Sequence, residues 1–177
     1  QELIAQGFDR VMFTGGTDRT VRSWDLRSLE SRPVLSQPVN DLEVSPDGTS
    51  FVLTSSEGAL LVAGDHPPRV LTRERLGATR PAFSPDGRWV VVTELGSVGM
   101  WDATTGARIA GQRDAPGITG FALGISADRR VVVSNTAEGV LELELPLGAR
   151  RILLGDRTVF GVAVSSTGAR TGVIGGD

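Results

Sequence analysis

Apolar residues along the 177-residue chain fall in short dense runs, and the runs come in sets separated by turn-forming residues. "SFVLTSS" (50–56), "RWVVVTE" (88–94) and "RRVVVSN" (129–135) are rich in β-branched and aromatic residues, which suit a pleated surface. Each is followed by a glycine turn, at "EGA" (57–59), "LGS" (95–97) and "EGV" (138–140), where glycine adopts positive φ without steric cost. A further strand then runs through "ALLVA", "SVGMWD" or "VLELEL", and a last segment such as "PRVLT" or "RRILL" closes the set. No segment between the strands has helical periodicity, so a parallel α/β sheet is excluded.

The sets repeat. "VSPDG" (44–48) returns as "FSPDG" (83–87), then in weaker form as "ISADR" (125–129) and "VSSTG" (164–168). Their serines stand at 45, 84, 126 and 165, and "GFDRVMFTGG" fits the same frame with Gly7 in the serine slot. Five starts at a spacing of about forty residues mark a repeat architecture with four strands per unit. An apolar residue precedes each turn, proline presets φ in two copies, and Asp-Gly makes the bend.

Runs such as Val90, Val91, Val92 and Val131, Val132, Val133 do not alternate, so both faces of these strands are expected to be buried. Small sheets stacked radially, each covered on both sides by its neighbours, satisfy that requirement. The expected fold is all-β: a β-propeller built from four-stranded antiparallel blades, with about four and a half blades present. The repeats are placed at approximately 1–37, 38–76, 77–117, 118–157 and 158–177, the last ending inside its second strand.

"TGGTDRTVRSWD" (14–25) resembles the third-strand signature of the WD-repeat β-propeller family, and "SVGMWD" (97–102) is a plainer copy of its ending. Trp24 and Trp101 follow the matching turn aspartates, Asp9 and Asp86, at the same offset, which lands on Val62 and Leu143 in the other two full repeats. The family's buried network of His, Ser or Thr, Trp and Asp has candidates here in Thr14, Asp18 and Trp24, but no matching His. These groups are therefore expected to bond to backbone or water. Family members mostly close a ring of seven, so the resemblance implies that other residues or another chain complete the ring.

Composition removes several functions. Net charge is −3, all eighteen basic residues are Arg, and no basic stripe occurs, so a nucleic-acid partner is not expected. The Arg, Ala and Gly usage suggests a GC-rich bacterial gene. There is no Cys, hence no disulfide, thiolate nucleophile or cysteine zinc site; a reducing cytoplasm is the expected location. No apolar run approaches the roughly 18 residues of a membrane helix, and a membrane partner is not expected.

Chemical motifs are weak. Gly15-Gly16-Thr17 lacks the lysine of a phosphate loop, His66 has prolines beside it and no second His or Cys, and Asp47-Gly48 reads as turn chemistry. Glu142 and Glu144 alternate with leucines along one strand and read as a solvated face. No cofactor, metal or catalytic set is expected. In the resembling family one rim is lined by the turns between second and third strands and by the blade-to-blade links. Here those stretches hold Arg19, Glu57, Glu94 and Glu138, with Arg73, Glu74, Arg75, Arg113, Asp114, Asp156 and Arg157. The expected function is a non-catalytic interaction scaffold or sensor, the propeller region of a larger bacterial signalling protein of NTPase or kinase type. Its partner would be a protein, a peptide or another domain of the same protein. The alternatives are part of a propeller-type hydrolase or a structural oligomerisation domain.

Overall fold

The computed structural model describes residues 3–5, 11–16, 18–64, 66–74, 80–94, 97–112, 123–128, 130–136, 139–144, 149–155, 159–167 and 169–175. They form eighteen strands and no helix. The first sheet contains β1 (Leu3–Ala5), β2 (Val11–Gly15), β3 (Thr20–Asp25) and β4 (Ser31–Ser36), and the second β5 (Asp41–Val44), β6 (Ser50–Ser55), β7 (Gly58–Ala63) and β8 (Arg69–Thr72). β9 (Ala82–Phe83), β10 (Trp89–Glu94), β11 (Ser97–Asp102) and β12 (Arg108–Gln112) make the third. β13 (Leu123–Ile125), β14 (Arg130–Thr136), β15 (Gly139–Glu144) and β16 (Ala149–Leu154) make the fourth, and β17 (Val159–Val164) pairs with β18 (Thr171–Gly175) alone. Every pairing is antiparallel between strands adjacent in sequence.

The sheets are blades. Their first strands, β1, β5, β9, β13 and β17, contact one another in succession and so line the axis. Between blades lie apolar layers. Val21 of blade 1 packs with Leu42, Phe51, Leu53 and Val62 of blade 2, and the Phe13 and Phe51 rings meet with centroids 4.6 Å apart. Val52, Leu61 and Leu71 of blade 2 pack with Phe83, Val90, Val92 and Trp101 of blade 3, whose Val91, Val98 and Met100 face Ile125, Val131 and Leu143 of blade 4. Consecutive valines thus serve two interfaces, and Val90, Val91 and Val92 are each 0% exposed. Arg69 of blade 2 also donates from Nη1 to the Thr104 carbonyl of blade 3.

The recurring serine turn explains why the repeat is legible. Ser45 Oγ donates to Asp47 Oδ1 at 2.6 Å and accepts from Ser50 N at 2.9 Å, while Gly48 takes φ 71° to close the bend. Ser84, Asp86, Gly87 and Trp89 repeat this arrangement. In "ISADR" the turn is one residue shorter, so the Ser126 amide donates to the Arg130 carbonyl, four residues on rather than five. The ladder between third and fourth strands slips at Val21/Arg22, Ala59/Leu60 and Val140/Leu141, the same slot in three blades, and two residues later in blade 3. A bulge there adds local twist to the outer half of each blade.

Candidate functional site

An up-and-down meander puts its second-to-third strand turns and its blade-to-blade links at one end, and the other turns at the opposite end. That topology carries Arg19, Glu57, Arg73, Glu74 and Glu94 to one rim. Arg75, Arg113, Asp114, Glu138, Asp156 and Arg157 lie outside the described residues. Glu94 ends β10 at the same rim.

The described rim residues rest on rigid turns. Arg19 stands at φ 64°, a left-handed conformation that a long side chain adopts only when its surroundings enforce it. The enforcement is local: Asp18 Oδ1 accepts from Thr20 N at 3.0 Å and from Thr20 Oγ1 at 2.9 Å, and the Arg19 amide donates to Gly16 O at 3.1 Å. Those bonds, the backbone amide of Thr20 first, hold the Asp18 carboxyl below its ordinary range. Arg19 is left exposed at the tip.

In blade 2 the turn and the outgoing link touch. Gly58, at φ 130°, lies so close to the Thr72 carbonyl and the Arg73 Cα that a Cβ on it would overlap them. Glu57 donates its amide to Ser55 Oγ at 3.1 Å, and Glu74 donates its own to Thr72 Oγ1 at 3.2 Å. Glu57, Arg73 and Glu74 are therefore brought together as exposed charges on a fixed backbone. Gly139 makes the corresponding approach to the Leu154 carbonyl in blade 4.

The opposite end is organised by the Trp-Asp pairs. Asp102 Oδ1 accepts from Thr104 N at 3.0 Å and from Thr105 N at 2.7 Å, which lowers its pKa, and Asp25 accepts from Arg27 N and Ser28 N in the same way. Trp24 Nε1 donates to Thr14 Oγ1 at 2.9 Å. This corrects the expectation that Thr14 and Trp24 bond only to backbone or water: their strands pair with Thr14 opposite Arg22 and Trp24 opposite Met12, which makes Thr14 and Trp24 diagonal neighbours on one face, within reach of the long indole. Val62 and Leu143 occupy the tryptophan slot of blades 2 and 4 by strand register, opposite Phe51 and Val131.

His66 lines a cleft of about 230 Å³ with Arg32, Val34 and Val62, between blades 1 and 2. Among the described residues no three His, Cys, Asp or Glu side chains are grouped as metal ligands would be.

One charged group escaped the sequence reading. Glu43 on β5 is an exposed residue whose carboxyl is pushed up to about 7, first by the desolvation that the surrounding strands impose and then by the neighbouring Asp41 charge, with Arg80 opposing. Its signal was a glutamate two residues before the serine slot, where the other repeats have alanine or glycine.

No family profile matches the chain. In sequence it is similar to Protein tipD of Dictyostelium discoideum, 28% identical over 127 residues that span 60% of this chain and 20% of that protein. It is equally similar to the target of rapamycin complex subunit LST8 of Bos taurus, 28% identical over 105 residues, 55% of this chain and 32% of that protein. The chain thus spans a third or less of the curated relatives it matches. In structure it resembles a chain of the mitotic checkpoint complex, with TM-score 0.72 and 13% identity over 96% of this chain and 57% of that one. Both sequence relatives are WD-repeat proteins and the structural neighbour is a propeller. By repeat register and blade topology together, the chain is an all-β array of propeller blades that is similar to WD-repeat proteins.

Proposed function

We propose that this propeller is a non-catalytic platform for a protein partner, which docks on the rim that carries Arg19, Glu57, Arg73 and Glu74. The observation that carries the reading is Arg19, an exposed arginine held at φ 64° by the Asp18–Thr20 clasp. A guanidinium presented on a fixed backbone loses little conformational freedom on binding, and arginine is a frequent interface anchor. Relatives that belong to protein complexes, a target of rapamycin complex subunit and a mitotic checkpoint complex chain, support the scaffold class. A regulatory role within a larger signalling protein of NTPase or kinase type, in a bacterial cytoplasm, is the specific form we favour.

The test is partner association of the full-length protein with Arg19 and Arg73 both changed to Glu. Loss of about tenfold or more in affinity is expected, since rim anchors carry ~1–2 kcal/mol each. Arg27→Glu, in the turn at the opposite end, should leave binding unchanged. Equal effects at the two ends would remove the rim from the interface.

Self-association has one supporting observation. Ile174 on β18 is 70% exposed, on the face of the fifth blade turned away from the fourth. We infer that a further blade, from the same protein or from a second chain, covers it.

A further inference from the structure

At the end of the blades opposite the rim, the junction of blades 2 and 3 is shut by an arginine. Arg69, on the fourth strand of blade 2, donates from Nη1 to the Thr104 carbonyl in the third-to-fourth turn of blade 3. Its stem lies over Gly106 of that turn, with Cδ 3.3 Å from where a Cβ would stand, beside Leu71. Two residues give the turn its course: Gly106 takes φ 72°, and the Asp102 carboxylate gathers the amides of Thr104 and Thr105.

The junction of blades 1 and 2 starts from the same parts. Arg32 stands opposite Ser23 as Arg69 stands opposite Leu61, in each case the residue just before the tryptophan slot. The turn facing Arg32 differs. Ala63 holds the place of Asp102, and Pro67 that of Gly106. Alanine has no carboxylate and proline cannot take a positive φ, so this turn follows another course, closed by the His66 amide on the Ala63 carbonyl at 3.1 Å. Arg32 turns to its own blade instead, where Nε donates to Ser23 Oγ at 3.3 Å. What remains between the two blades is the cleft of about 230 Å³.

The lining of that cleft selects a chemistry. Val34, Val62, Pro33 and Pro68 supply apolar surface, and Arg32 and His66 supply N–H donors. No carboxylate is among its described lining residues; Asp25 and Glu30 line a separate cleft beside Trp24. A guanidinium held through Nε presents its two terminal nitrogens as a pair, the geometry that receives a carboxylate. The volume lies below the roughly 300–1,000 Å³ of sites for drug-sized ligands, so one ring bearing one carboxylate suits it.

We propose that this cleft binds a small organic acid with a single ring, its carboxylate held by Arg32 and His66 and its ring set among Val34, Val62 and the two prolines. Such a ligand bridges two blades, because Arg32, Pro33 and Val34 belong to blade 1 and Val62, His66 and Pro68 to blade 2. It supplies there the tie that Arg69 supplies between blades 2 and 3. The site lies at the end away from Arg19, so it acts independently of a partner on the rim.

Titration of the full-length protein with benzoate tests this, read by nuclear magnetic resonance at the methyl groups of Val34 and Val62. Saturable shifts with a Kd of about 0.1–1 mM are expected, the range for a ligand of few atoms in an open cleft. Benzamide, which keeps the shape and lacks the charge, should bind roughly tenfold more weakly, and so should acetate, which keeps the charge and lacks the ring. Arg32→Gln should weaken benzoate about tenfold and leave benzamide within about twofold. Should Arg32→Gln disturb β4, His66→Gln in its exposed turn serves the same comparison, with a loss of about threefold. No saturable shift up to about 10 mM benzoate, equal affinity for benzamide, or unchanged benzoate affinity in the variants overturns the proposal. Shifts that map to other arginines, such as Arg69 and Arg108, would mean general attraction of an anion to arginine and overturn it equally.

Discussion

Blades 1 and 3 both end their third strand in Trp-Asp, and the two tryptophans occupy the same slot with different surroundings. Trp101 is 1% exposed, whereas Trp24 is half-buried. Two residues before Trp101 stands Gly99, against which the indole lies so closely that a Cβ would overlap the ring; two residues before Trp24 stands Arg22, which turns aside to bond Ser31 Oγ at 3.1 Å. Across the ladder, Thr14 accepts from the Trp24 indole, while Val92 holds the corresponding position in blade 3. Trp101 is further covered by Val52, Leu61 and Leu71 of blade 2, and Arg108 lies 5.2 Å above its ring. In blades 2, 3 and 4 the slot faces the preceding blade, so what the side chain is worth is decided by its neighbour rather than by its own strand.

Three substitutions, two of them with a counterpart in blade 1 as control, sharpen that comparison. Trp101→Ala should cost about 3–5 kcal/mol, because it empties the layer between two blades, and would be read as a large drop in denaturation midpoint. Trp24→Ala is the control, and a loss as large as that at Trp101 would break the argument. Gly99→Ala comes next, at about 1–3 kcal/mol, since the indole must leave its seat to admit one methyl group. Arg22→Gly should give blade 1 no comparable change. The smallest effect belongs to Thr14→Val, at most about 1 kcal/mol by equilibrium unfolding, because the half-buried indole N–H keeps access to water. A larger loss would mean that the Thr14 bond anchors the blade.

The fold was legible because its determinants are local. The Ser-x-Asp-Gly turn closes within six residues, as Ser45 through Ser50 and Ser84 through Trp89 show, and the second of these copies repeats the first. The valine runs announced double burial for the same reason: β-branched residues on consecutive positions need partners on both sides. The site was less legible. The family resemblance implied a partner rim of turn and link residues, of which Arg19, Glu57, Arg73, Glu74 and Glu94 are described, and the meander places these five at one end of the blades. It could not show that Arg19 is held left-handed, because this depends on the Asp18 carboxylate reaching Thr20. Glu43 was overlooked because a single glutamate in "NDLEVSPDG" looks like an ordinary solvated residue.

The direction in which the tryptophan slot points has a consequence for how the chain comes into being. Each blade is an uninterrupted meander, and every strand pair joins neighbours in sequence, so a blade can form as soon as its forty or so residues have left the ribosome. Val62, Trp101 and Leu143 all face the blade made before their own. Blades 2, 3 and 4 therefore each dock on a face that lies before them in the chain, so that vectorial synthesis would present each of them with its platform first.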